Sequence, residues 1–167
     1  KGGLALLWKE ELEVTIQSYS LNHIDATVEG WGGQSKWRLT GIYSFPEAYL
    51  RGRTWSLLEK LVAISNMPWL CFGDFNEILT QEEKVGDRPR VESHMQAFRT
   101  ALDKCGLKDL GYKGVDYTWS NGRWEMGHIR ARLDRFVSTL SVVKAQMRNG
   151  SIVELGFRVR FQNFLSN

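Results

Sequence analysis

Apolar and polar positions alternate strictly early in the chain: Leu12, Val14 and Ile16 interleave with Glu13, Thr15 and Gln17. After a short break, Ile24, Ala26 and Val28 interleave with His23, Asp25, Thr27 and Glu29. A period of two puts each set on one face, so the pattern predicts two strands joined as a hairpin. Trp31-Gly32-Gly33-Gln34-Ser35 reads as loop, after which Trp37, Leu39, Gly41 and Tyr43 line one side of a third extended segment that Pro46 stops. From Pro46 to Ser65 the period lengthens. Leu50, Trp55, Leu58, Leu61 and Val62 approximate one helical face, beside the charged Arg51, Arg53, Glu59 and Lys60.

Asn66-Met67-Pro68 breaks that helix, and Trp69-Leu70-Cys71-Phe72 is the short apolar run of a strand covered on both faces. Met95, Phe98, Leu102 and Cys105 predict a second helix, with Ser93 as its N-cap and Gly106 as its stop. The remainder predicts a strand over 115–120, a tight Asn121-Gly122 turn, and a strand from Ile129 to Val137. Strands with helices between some of them argue for an α/β or α+β sandwich. The sequence contains neither an internal repeat nor a low-complexity segment.

Composition adds little to this picture. With 167 residues, 43% hydrophobic and 25% charged, the chain has the material for one ordinary core. No apolar run reaches the roughly 18 residues needed to cross a bilayer. The opening Lys1-Gly2-Gly3-Leu4-Ala5-Leu6-Leu7-Trp8 lacks a secretory cleavage pattern, so the expectation is an intracellular protein without a membrane partner. The first residue is Lys, and the opening reads as mid-domain. Cys71 and Cys105 form no Cys-x-x-Cys pair and read as buried small hydrophobes. His23, His94 and His128 share no metal spacing and read as surface residues, whereas most of the seven Trp are assigned to the core. A net charge of +3 is compatible with a polyanionic partner without implying one.

The chemistry concentrates at Gly73-Asp74-Phe75-Asn76. In a strand that ends at a site, alternation puts Asp74 and Asn76 on one side and Phe75 on the other. A carboxylate so placed can orient and deprotonate a water, and an amide beside it can donate to charge building on a phosphate. The alternative for these four residues alone is an Asp-Asn turn that merely ends a strand.

Thr40-Gly41-Ile42-Tyr43 precedes this stretch; Tyr117-Thr118-Trp119-Ser120-Asn121 and Arg132-Leu133-Asp134-Arg135 follow it. With residues 2–8, 73–79 and 109–114, this ordered set resembles the endonuclease/exonuclease/phosphatase superfamily, and within it the endonuclease domains of plant LINE-type non-LTR retrotransposons. The resemblance runs from about Gly2 to Leu140. It implies a four-layer α/β/β/α sandwich of the deoxyribonuclease-I-like type, incomplete at both ends. Residues 1–140 would be a partial domain and 141–167 a divergent or rearranged tail.

The same resemblance implies a magnesium- or manganese-dependent DNA endonuclease, nuclear if of retroelement origin. Tyr43 would contact the scissile phosphate, Asp74 would position the nucleophilic water and serve as a possible metal ligand, and Asn76 would help hold the transition state. Asp134 would orient a catalytic His, whose tautomer it would fix. Thr118 and Asn121 would border the groove, with Lys84 and Arg88 as substrate contacts. Arg90, Arg130 and Arg132 would flank phosphates against a plain reading as solvated charge, and Trp124 would either stack on a base or pack at a sheet edge.

The pattern departs from the family in two places. The family's Asn and metal-ligating Glu lie upstream of the position matched by Gly2. Its Ser-Asp-His triplet lies downstream of Asp134, whereas here Glu154 is the only acid after Asp134 and no His follows. Residues 157–165 resemble the segment beyond that His, as if a strand between had been lost. The expectation is therefore a catalytically impaired copy with weak metal binding and self-association through exposed sheet edges. A non-catalytic nucleic-acid or protein binding remnant, and a phosphatase of the same superfamily, stand as alternatives.

Overall fold

The computed structural model describes residues 4–8, 10, 12–29, 36–112, 114–123 and 127–139, and the backbone of 157–161. The expectations for Trp31–Ser35, Trp124, Glu154 and the rest of the tail lie outside these residues.

Residues 4–8, to which the sequence reading gave no strand, form β1 (Leu4–Trp8), and the alternating segments form strands as expected: β2 (Glu13–Tyr19), β3 (His23–Glu29) and β4 (Trp37–Tyr43). The apolar run becomes β5 (Trp69–Asp74). Short strands β6 (Lys84–Val85), β7 (Lys108–Asp109), β8 (Trp119–Ser120) and β9 (Arg130–Ala131) precede β10 (Asp134–Ser138) and β11 (Phe157–Phe161). The main sheet has the order β2-β3-β4-β5-β10-β7, and β4–β5 is its parallel pair. The crossover between those two strands is helix α1 (Arg51–Ala63). Helix α2 (Glu92–Lys104) lies beside it.

Alternation along the central strands feeds two cores. Ile42, Trp69, Cys71 and Val137 face the helices and pack with Trp55, Leu58, Phe98 and Leu102, where Trp55 stacks on Phe98 at 4.6 Å. Leu39, Leu70 and Phe72 face the other way and pack with Val28 and Trp37, covered in part by Leu6 of β1. Strand β1 pairs with β11 there as a separate two-stranded sheet. Both cysteines are buried and free, as expected.

Several boundaries differ from the sequence reading. Helix α1 begins at Arg51, because residues 48–50 form a 3-10 turn after Pro46. Helix α2 is capped by Val91 in extended conformation with no side-chain bond, which places Ser93 inside the first turn. The strand expected over 129–137 is divided: Arg132 N–H donates to Glu83 O and Leu133 O accepts from Phe75 N–H, so the chain leaves one sheet for another between β9 and β10. The Asn121-Gly122 turn is the start of a longer loop. Asn121 Nδ2 donates to Gly127 O, and its Oδ1 accepts from Ile129 N–H, so one side chain ties Asn121 to Gly127 and Ile129. Of the described Trp, 37, 55 and 69 are buried, whereas Trp8 and Trp119 are exposed.

Polarity enters the core beneath α1. Arg38 and Asp25, 2% and 1% exposed, form a bidentate pair with both contacts at 2.8 Å. Thr40 Oγ1 donates to Asp25 Oδ1, Trp69 Nε1 donates to Thr40 Oγ1, and Arg38 Nη1 reaches the Leu61 carbonyl near the end of α1. The network ties β3, β4, β5 and α1 together with its charges satisfied. Removing one member leaves the other charge buried and alone, so Asp25→Ala is expected to cost about 3–5 kcal/mol in urea denaturation. The double variant Asp25→Ala, Arg38→Met is expected to lose less, and a single-variant cost below about 1 kcal/mol would contradict the sealed pair.

Candidate active site

Strand register brings the leading candidates together. Tyr43 on β4 is the parallel partner of Asp74 on β5, and Asp74 is the antiparallel partner of Asp134 on β10. All three side chains project from the face opposite the helices. The next rung inward is Gly41, Phe72 and Phe136, where the two Phe rings stack at 5.7 Å. The site is therefore a polar row at the end of an apolar face. Side chains directly opposite in an antiparallel ladder have Cβ atoms about 5 Å apart, so the two carboxylates are close neighbours.

The turn after Asp74 depends on backbone that few residues adopt. Gly73 has φ +146°, and a Cβ there would meet Ile42 O at 1.9 Å, so only glycine lets β5 approach β4 at this point. Phe75 turns into the core at 5.2 Å from Phe98, as the alternation implied. Asn76 does not continue the strand. Its φ is +54°, its N–H donates to Asp74 Oδ1 at 2.8 Å, and its Nδ2 donates to Ser44 O at 2.9 Å. The Asp74–Asn76 pair is held by an Asx turn.

Two acids in one partly buried row repel. Burial pushes the Asp74 carboxyl up to about 6, with the Asp134 charge adding to it, while N–H groups of Asn76 and the Arg51 guanidinium pull the other way. Burial also raises Asp134, opposed by the Thr118 hydroxyl and by Arg135. Tyr43 is raised by burial and then by Asp74, so its phenol stays a proton donor. Among the described residues no three His, Cys, Asp or Glu cluster as a metal site. Magnesium commonly uses one or two carboxylates plus substrate phosphate, and the Asp74–Asp134 pair fits that open donor set.

The other candidates fall into different places. Thr118 is the residue that holds Asp134: its Oγ1 accepts from the N–H groups of Leu133 and Asp134, both at 3.0 Å, and donates to the Asp134 carboxylate. Asn121 organises its own loop. Lys84 spends its ammonium on the carbonyls of Gly86 and Arg88, and Arg88 is exposed. Arg132 is buried rather than groove-facing. With Arg135 it shares Glu83 and Asp109 in a four-residue ion network, at contacts of 2.6 to 3.2 Å. Arg130 lies over the Tyr117 ring at 4.8 Å. His23 is buried, against the surface expectation, because Ser18 and Ser20 hydroxyls meet both its ring nitrogens at 3.0 and 2.8 Å.

Three supporting residues escaped the sequence reading. Asn22 Nδ2 donates to Tyr43 O and its own carbonyl accepts from Tyr43 N–H, which pins Tyr43 to the β2–β3 hairpin. Glu77 is fully buried, with Arg51 Nη1 at 2.6 Å and Arg90 Nε at 3.1 Å. Its signal was legible as a lone acid between Asn76 and the apolar Ile78-Leu79. Arg51, read as part of a charged helix surface, is 5% exposed for this reason.

Because the folded state holds the Asp74 proton up to about pH 6 while the unfolded chain releases it near 3.8, folding stability from this group falls as pH rises between those values. Above them the charged carboxylate is a standing cost. Asp74→Asn keeps an acceptor for Asn76 and is expected to raise Tm at pH 7.5 by roughly 3 °C, about 1 kcal/mol. The gain is expected to vanish near pH 4, and a gain independent of pH in thermal melts would contradict the assignment.

No protein-family model and no curated protein matches this chain. The endonuclease domain of TRAS1, a telomere-specific non-LTR retrotransposon, superposes with a TM-score of 0.66 at 14% identity, over 85% of this chain and 69% of that one. A beta hairpin deletion mutant of Staphylococcus aureus beta toxin gives 0.49 at 15% identity, over 71% and 44%. Truncated Caenorhabditis elegans TDP2 gives 0.45 at 14%, over 82% and 62%, so the chain spans less than two thirds of these last two. At such identity the first likeness speaks for architecture, and on it the chain has the deoxyribonuclease-I-like fold.

Proposed function

We propose that this chain carries the water-positioning half of a magnesium-dependent phosphodiester-hydrolysing site for DNA, of retroelement type and with low turnover in this copy. The observation that carries the reading is the row Tyr43–Asp74–Asp134 on three hydrogen-bonded strands, at the end of an otherwise apolar face. Asp74 accepts the proton of an attacking water, and a carboxyl near 6 is matched to that task around neutral pH. The Asn76 amide and the Tyr43 phenol, which keeps its proton, donate to the non-bridging oxygens as charge builds on phosphorus. Asp74 and Asp134 would hold the divalent ion, which when bound neutralises phosphate charge and acidifies water.

Low turnover follows from what the row does not supply. The row itself holds no imidazole, so phosphate charge there is met by the Asn76 amide and the Tyr43 phenol. The purified chain is expected to nick supercoiled plasmid slowly with magnesium, and Asp74→Asn to reduce that rate at least about 100-fold. Rapid nicking contradicts the impairment. A salt-sensitive electrophoretic shift without any cleavage above the Asp74→Asn background contradicts catalysis and favours a nucleic-acid binding role.

A further inference from the structure

The cations after Asn76 are spent unequally. Lys84 is turned into its own loop, and Arg132 is enclosed with Glu83 and Asp109. Arg90 differs from both. It shares the buried Glu77 with Arg51, whose guanidinium also acts on Asp74, so two guanidinium groups face Glu77 and Arg51 is the one drawn between two acids. Arg51 takes the well-aligned share: Nη1 to Glu77 Oε2 at 2.6 Å, Nη2 to Pro46 O at 2.6 Å and Nε to Phe45 O at 3.2 Å, with a side chain only 6% exposed. Arg90 takes the looser one. Its Nε lies 3.1 Å from Glu77 Oε1 without an aligned hydrogen bond, its Nη2 reaches Asn76 O at 3.4 Å, and its side chain is 26% exposed.

The position of Arg90 is nevertheless fixed. Gln81 Nε2 donates to Arg90 O at 2.6 Å and Gln81 Oε1 accepts from Arg90 N–H at 3.0 Å, so the backbone is clamped from both sides. The result is a guanidinium on a clamped backbone, drawn toward Glu77 on its Nε side by charge, beside the carbonyl of the residue two places after Asp74. Such a fork is suited to a phosphate oxygen pair and loses little entropy on binding one.

We propose that Arg90 is a substrate-phosphate contact, held by Glu77 and Gln81 to grip the nucleic-acid backbone phosphate next to the one presented to Asp74. This rests on the phosphodiester reading above. It would add a second cation to that of Arg51 near a row whose two carboxylates repel a polyanion. A purely structural Arg90, present only to neutralise Glu77, is the contrary case.

Binding of a short labelled DNA duplex across a salt series separates the two. Arg90→Gln leaves Glu77 paired with Arg51, so the melting temperature is expected to stay within a few degrees while affinity at low salt falls about fivefold or more. The slope of log K against log salt is expected to shrink by about one, the signature of one lost phosphate contact. Arg90→Lys is expected to restore the slope but only part of the affinity, since an ammonium lacks the fork. Lys60→Gln, the same charge change at the far end of α1, is expected to leave the slope as it is. An unchanged slope in Arg90→Gln, or a loss that Arg90→Lys fails to restore and that tracks the melting temperature, overturns the assignment alone. Failure of the unaltered chain to bind the duplex overturns the parent reading and this contact with it.

Discussion

Two carboxylates held opposite each other at the ends of neighbouring strands are the constraint around which the rest of this structure is organised. Asp74 and Asp134 are each raised by lost solvation, and Asp74 is raised further by the Asp134 charge. The groups nearest them act to make the arrangement tolerable. Asn76 gives N–H bonds to Asp74, Thr118 gives its hydroxyl to Asp134, and Arg51 contributes a cation from the start of α1. Strain accumulates at the same place, in the positive φ angles of Gly73 and Asn76. A row that concentrates like charge, burial and backbone strain together is poorly explained as mere packing, which is why it anchors the functional reading.

Elsewhere the fold treats charge in the opposite way, by enclosing each buried cation with acids or carbonyls. Arg38 with Asp25, Arg51 with Glu77, and Arg132 and Arg135 with Glu83 and Asp109 form three such sets. Each spans elements distant in sequence: β3 to β4 and α1, α1 to the turn after β5, and β10 to β7 and the 3-10 turn over residues 81–83. These sets fix the ends of strands whose register sets the Tyr43–Asp74–Asp134 row. Stability and site geometry thus share the same arginines. Substitutions at Arg51 or Glu77 would move both, whereas Arg90 stands partly exposed at the margin of one set.

The period-two segments β2, β3 and β4 and the Trp69–Phe72 run were legible because alternation and apolar continuity act locally. The candidate site was legible as residue types: Tyr43, Asp74, Asn76 and Asp134 were named from motifs, and the register joins three of them. What was not legible depends on contacts between distant segments. That Arg132 is buried follows from Glu83 and Asp109, that His23 is buried follows from two serines, and that Thr118 serves Asp134 follows from where the residue before β8 meets the start of β10. The side-chain bonds of Asn121 to Gly127 and Ile129 likewise overrode the local preference of Asn-Gly for a tight turn.

The polar row is probed most directly by the protonation of one group. Carboxyl carbon shifts of Asp74, followed by NMR as pH is varied, should show titration near 6 in the unaltered chain. In Asp134→Asn the value should fall yet stay above the ordinary 3.8, since burial acts before the neighbouring charge. An Asp74 that titrates near 4 in the unaltered chain, and is indifferent to Asp134→Asn, would contradict the central claim that the two acids form one strained polar row.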